Sequence, residues 1–299
     1  MKAVGRKTFW LANGAVNLAI LAVVMLLLTF AGFALWDSEE IHRKADKSRY
    51  EAYKPTVDNG GKTFKELQAL NSDVIAWLHV YGTNIDYPVT QGRNNMKYVN
   101  TNAEGQYSLS GAIFLDYHNS PDFSDFNSII YGHHMEKKTM FGEIGEFRNK
   151  EMFDAHRYGD LFYDGRNHGI EFFAYIHADA YDDKVFSAGV SRDKEGYLDG
   201  LLDMAIFKRD IGVTASDRIV LLSTCSETTT NGRDILVGKL SGVTFDNPFT
   251  NSQTDDETKP AGGLGGFLKQ IRLINVILLL ALLAIVAVIL YRQKYRKGA

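Results

Sequence analysis

Apolar residues fall along this chain in three textures. Ala15–Trp36 and Ile274–Tyr291 contain no charged residue. Each comes close to, or exceeds, the roughly 20 apolar helical positions that cross a hydrocarbon core about 30 Å thick. Both are read as membrane spans. Between them the apolar residues come in short β-like runs. These are Val74–Val80, Ile85–Val89, Gly111–Tyr117, Ser128–Tyr131, Gly159–Tyr163, Ile170–His177, Arg218–Ser223 and Ile235–Leu240. Tyr81–Asn84 reads as the turn between the first two. Helical spacing interrupts the runs at Thr63–Leu70, where Phe64, Leu67 and Leu70 share a face, and near Asn95–Asn100 and Glu143–Arg148. It is clearest at Glu195–Lys208, where Leu198, Leu201, Leu202, Ala205 and Ile206 form one apolar stripe. About eight short strands with few helices predict a mostly β fold, a closed eight-stranded barrel with helical insertions and N-terminal helices, flanked by two transmembrane helices.

The flanks refine the plan. Lys2, Arg6 and Lys7 precede the first span, as in an export signal or signal anchor. The run exceeds the roughly 7–15 residues of a signal-peptide core, which favours a retained anchor over a cleaved leader. Arg43, Lys44, Lys47, Arg49 and Lys54 follow it, so this span alone orients poorly. The second span has Lys269 and Arg272 before it and Arg292, Lys294, Arg296 and Lys297 after it, which favours a cytoplasmic C-terminus. The expected organisation is a cytoplasmic N-terminus (1–14), a membrane anchor (15–36) and a juxtamembrane helix with linker (37–62). A β-rich central domain (63–245), a flexible linker (246–270), a second span (274–291) and a basic cytoplasmic tail (292–299) follow. Asp37–Lys54 has mixed charge and reads as a solvated helix ending at the Pro55–Gly61 break. A buried hydrophobic hairpin in a soluble protein is the alternative to the two spans.

Composition narrows the classes. The 299 residues are 45% hydrophobic and 23% charged, with 36 acids against 33 bases. Such a chain is neither a disordered polar polymer nor a basic nucleic-acid binder. There is one cysteine, so the domain is held by its core without an internal disulfide. The eight histidines show no metal-ligand spacing, and no phosphate loop or dinucleotide fingerprint occurs. No metal and no organic cofactor are expected.

Three residues carry candidate chemistry. Cys225 ends the buried-strand pattern of residues 218–225, just before the polar segment 226–232. There a thiol is both reachable and rigidly held, although a lone cysteine also serves as a small buried hydrophobe. Arg233 opens the next apolar strand. If the two strands pair, its guanidinium returns to the level of Cys225, where it could favour a thiolate or an acyl-transfer oxyanion. A surface arginine is the plainer reading. His133 follows the run Ser128–Gly132, also at a strand end, and an imidazole there could exchange protons with a leaving and an incoming amine. His134 should face away, since neighbouring strand residues alternate.

With those residues in view, the chain resembles the sortase transpeptidases of Gram-positive bacteria. The likeness rests on Leu222-Ser-Thr-Cys225, on Arg233 and on Tyr131-Gly-His133. Asp73-Val-Ile-Ala-Trp-Leu, Ile85-Asp-Tyr-Pro-Val, Gln91-Gly-Arg-Asn-Asn95, Ile129-Ile-Tyr-Gly-His-His-Met and Met140-Phe-Gly extend it, in the manner of class B members, over residues 63–241. The resemblance implies Cys225 as nucleophile, His133 as acid/base, and Arg233 as the group that positions or stabilises the acyl carbonyl. Ser223 and Asn95 match positions near the sorting-signal groove. Leu221 stands where the family usually has threonine. The implied substrate is an exported protein with an LPXTG-like or NPQTN-like signal, and the acceptor is an amine. A C-terminal span resembles pilin-polymerising members, in which that amine is a pilin lysine, although their Asp-Pro-aromatic lid motif does not occur here. The alternatives are attachment to a cell-wall precursor amine, a cysteine peptidase that hydrolyses its acyl-enzyme, and a non-enzymatic membrane receptor.

Overall fold

The computed structural model describes residues 2–55, 62–226 and 229–250. The chain divides into two units, Met1–Pro248 and Phe249–Ala299, and nearly all described residues belong to the first. The expected second span, the basic tail and most of the expected linker lie outside the described residues.

Nine strands occur among the described residues: β1 Val74–Val80, β2 Asp86–Thr90, β3 Ile113–Leu115, β4 Asn127–Tyr131, β5 Tyr158–Tyr163, β6 Arg166–Asp179, β7 Ala205–Lys208, β8 Arg218–Cys225 and β9 Gly232–Ser241. They run in the order β5-β1-β2-β3-β4-β8-β9-β6-β7, and a β5–β6 pairing closes the first eight into a barrel. The β2–β3 and β4–β8 pairs are parallel and the rest antiparallel. Each expected run lies on one of the eight barrel strands.

β8 shows why its run is continuous and not alternating. Val220 and Leu222 face the interior with Ile130, Phe172, Tyr175 and Leu236. Ile219 and Leu221 face outward, but join a second core with Ile129, Ile235, Val237, Leu198 and Leu201. The helix Lys194–Met204 supplies those leucines. A strand buried on both faces has no polar side to show.

Four expectations are corrected. The Glu195–Lys208 helix stops at Met204, and Ala205–Lys208 forms β7 instead. β5 pairs only with residues 166–171 of β6, so the edge at Ala174–Ile176 is free to take β7. Ile206, assigned to the apolar stripe, is exposed. Within α2 (Lys62–Leu70), Phe64 and Leu67 are buried, but Leu70 is exposed at the helix end. The first helix, α1, runs over Lys2–Ala45, and the solvated helix expected to Lys54 gives way to short 3₁₀ turns at Lys47–Arg49 and Glu51–Tyr53. Asp46 starts the first turn by accepting from the Ser48 amide. This segment is part of the core: Ala45 and Tyr50 are buried, and the Tyr87 hydroxyl donates to the Ala45 carbonyl at 3.0 Å. Among the described residues α1 is the one helix long and apolar enough to cross a membrane.

One half-buried acid gives a stability prediction. Asp160 on β5 accepts a hydrogen bond from Tyr81 at 2.9 Å. Burial raises its pKa to about 6, against the opposing pull of that bond. A carboxyl with a native pKa above the ordinary 3.8 keeps its proton longer when folded. Its stabilising effect is therefore present below about pH 4 and is lost as pH rises through about 6. Asp160→Asn should raise stability at pH 7.5 by up to about 3 kcal/mol and change little at pH 4. Thermal melts at the two pH values check this, and an equal gain at both would remove ionisation as the cause.

Candidate active site

The site lies where β4, β8 and β9 end together. β8 and β9 are antiparallel neighbours, and their register sets Cys225 directly opposite Arg233. The sequence condition for an arginine at the thiol's level is therefore met. β4 runs parallel to β8 with Tyr131 opposite Ser223, and the Gly132 amide donates to the Ser223 carbonyl at 3.1 Å. His133 stands two residues beyond Tyr131, as Cys225 stands two residues beyond Ser223. Side chains alternate along a strand, so Tyr131 shares the outer face with Ser223, Cys225 and Arg233.

Cys225 is exposed at its strand end. His133 Nε2 lies 2.9 Å from the Val99 carbonyl. A carbonyl only accepts, so Nε2 carries the proton of that bond and Nδ1 is left for proton exchange. Gly132 is needed at its place, because a Cβ there would lie 2.7 Å from the Phe141 ring. The Phe141 amide in turn donates to the His133 carbonyl at 3.0 Å, closing the loop after the histidine. His134 forms an isolated bridge with Met140.

Arg233 Nη1 donates to the Gly232 carbonyl at 3.1 Å. Its charge also reaches across β8. Burial and the Asp116 carboxylate push the Tyr131 phenol well above its ordinary pKa, and Arg233 pulls against them. By alternation along β9, Arg233 leaves the strand on the same outer face as Ile235 and Val237.

The two other expected residues differ in kind. Ser223 is buried, and its Oγ has no hydrogen-bond partner among the described residues. Asn95 is already engaged: its Nδ2 donates to Asp116 at 2.7 Å, and its Oδ1 accepts from the Tyr117 amide at 3.0 Å. Asp116 also accepts from the Tyr131 hydroxyl at 3.1 Å. Asn95 is therefore tied to the β4 strand end through Asp116, a residue the sequence did not single out. Among the described residues no group of three or more His, Cys, Asp or Glu side chains could hold a metal.

Sequence reasoning also passed over the charges behind the site. Asp234, Arg148 and His177 converge on the inner face of the barrel mouth. The available signal was Asp234 itself, a carboxylate opening a strand that is otherwise apolar to Val237.

Residues 78–241 match the family model described as a sortase domain. Sortase B of Listeria monocytogenes is 29% identical over 236 residues, 76% of this chain and 95% of the relative. Among solved structures, sortase B from the Type II pilus of Streptococcus pneumoniae is 46% identical with a TM-score of 0.53, covering 60% of this chain and 99% of that one. A class B sortase of Streptococcus pyogenes involved in pilus biogenesis is 43% identical with a TM-score of 0.56, over 60% and 99%.

Proposed function

Because this chain belongs to the sortase family of cysteine transpeptidases, we propose that it joins exported proteins through a thioester on Cys225, with a pilin lysine as the acceptor. The observation that carries the residue assignment is the opposition of Cys225 and Arg233 across β8 and β9, with His133 two residues beyond the end of the parallel strand β4. Cys225 Sγ, as thiolate, attacks the carbonyl carbon of the scissile bond of the sorting signal. The C–S bond forms, and the carbonyl oxygen becomes an oxyanion held by the Arg233 guanidinium. The C–N bond then breaks, and the leaving amine takes a proton from His133. The acceptor amine returns a proton to His133 as it attacks the thioester. Its new amide bond replaces the C–S bond and frees the thiolate.

An LPXTG-like or NPQTN-like signal follows from the family resemblance. The pilin lysine is supported by the likeness to the pilus-associated pneumococcal and S. pyogenes enzymes. For location, α1 is the first of two membrane passes and the uncharged run 274–291 supports the second, so that both termini are cytoplasmic and the catalytic domain is outside. No nucleic acid takes part.

The test is intact-mass spectrometry of the full-length enzyme in detergent, mixed with a candidate pilin that bears such a signal. An acyl adduct on Cys225 and pilin ladders joined through lysine are expected. An adduct resolved only by glycine-type amines would replace pilin polymerisation with wall anchoring. Release of free acid would make the enzyme a peptidase.

A further inference from the structure

Behind the Cys225–Arg233 pair lies a polar cluster that the transfer reaction does not use. Asp234 follows Arg233 on β9, so the two side chains leave opposite faces of the strand. Asp234 is 2% exposed. Its Oδ1 accepts from the Tyr175 hydroxyl at 2.9 Å, from Arg148 Nη2 at 3.0 Å and from His177 Nδ1 at 3.0 Å. These partners come from β6 and from the 3₁₀ turn Ile144–Arg148. A buried carboxylate is tolerated here because it has both a countercharge and several donors.

Two further contacts lead from the cluster to the segment after the thiol. Arg148 Nη2 lies 3.4 Å from Ser226 Oγ, and Thr229 Oγ1 lies 3.4 Å from His177 Nε2. With Nδ1–H given to Asp234, Nε2 accepts from the Thr229 hydroxyl. The approach is close: a Cβ on Gly232 would fall 1.9 Å from Thr229 Oγ1 and 2.7 Å from His177 Cε1. Asp234 is also the cross-strand partner of Thr224, the residue before Cys225. The cluster therefore holds the chain on both sides of the thiol.

We infer that Asp234, His177 and Arg148 are positioning residues, which clamp Ser226 and Thr229 so that Cys225 stays opposite Arg233 during acylation. The inference rests on Cys225 being the nucleophile. Strand ends fray, and Cys225 is the last residue of β8. A displacement of about 1 Å at a reacting atom can cost about a hundredfold in rate, so a clamp from behind acts on turnover more than on substrate capture.

The full-length enzyme in detergent, assayed with a fluorogenic LPXTG-type peptide and an amine acceptor, tests this. Asp234→Asn and His177→Gln should each lower kcat about tenfold, with KM changed less than about twofold. Thr229 is exposed, so Thr229→Val leaves the fold intact and keeps the test valid if the buried variants unfold. It should lower kcat about threefold, and the double variant H177Q/T229V should be no slower than H177Q, because both changes break one link. Wild-type kcat in T229V, or fully additive losses in the double variant, would overturn the clamp. Cys225→Ala separates the two readings. If it retains turnover, the nucleophile assignment fails. If it is inactive while T229V and H177Q run at the wild-type rate, only the clamp fails.

Discussion

Cys225→Ala is expected to abolish both the acyl adduct and amine transfer while leaving the protein folded. The side chain is exposed at the end of β8 and is the only thiol in the chain. No other group among those that converge on the site is a sulfur nucleophile, so the loss should be at least about 10⁴-fold, the scale seen when a covalent nucleophile is removed. Stability should change little, because a surface substitution away from caps and buried partners stays within about 0.5 kcal/mol. Intact-mass spectrometry of the variant with substrate, beside a thermal melt, checks both halves. An adduct on the variant would move the nucleophile elsewhere. A large fall in unfolding midpoint would make the lost activity uninformative.

Arg233→Lys should lower kcat/KM by about 10²–10³-fold, the scale of losing one oxyanion donor, and so should Arg233→Ala. Lysine keeps the charge but not the planar fork, whose donors sit at fixed angles. The register of β8 and β9 holds that fork opposite the thiol, and its field reaches Tyr131 on the far side of β8. An ammonium on a flexible stem reproduces the field without the geometry. Alkylation of Cys225 by iodoacetamide distinguishes two roles, because that reaction forms no oxyanion. If Arg233 serves the oxyanion, both variants alkylate at the wild-type rate while transfer is lost. Parallel loss of alkylation in Arg233→Ala, but not in Arg233→Lys, would assign it to the thiolate instead. Wild-type transfer in Arg233→Lys would remove the guanidinium from the mechanism.

What could be read before the structure follows from the range over which each interaction acts. The eight barrel strands were legible because burial on one or both faces leaves a local mark, alternating or continuous, within five to eight residues. Residues 218–225 are the clearest case. The end of the helix Lys194–Met204 is not legible locally, because Ala205–Lys208 has helical spacing and only the free edge at Ala174–Ile176, far back in the chain, makes a strand of it. Tyr50 was assigned to solvent for a similar reason: its mixed-charge surroundings say nothing of Tyr87, whose ring it meets edge-on at 6.5 Å.

The candidate site divides along the same line. Cys225, His133 and Arg233 each sit at a strand end next to a polar segment, which is a local property, and their family words are contiguous. Their meeting is not local. It depends on β8 pairing with β4 on one side and with β9 on the other, a consequence of barrel closure. The Asp234 cluster is further still from the sequence, since Arg148, Ser226, Asp234 and the β6 pair Tyr175 and His177 come from different parts of the chain. The apolar first span, the eight barrel strands and the reactive residue types are legible locally, because side-chain period and hydrophobicity are properties of neighbours. Which of those residues face one another, and which charges lie behind them, depends on the closed sheet, whose registers are set by pairings between distant segments.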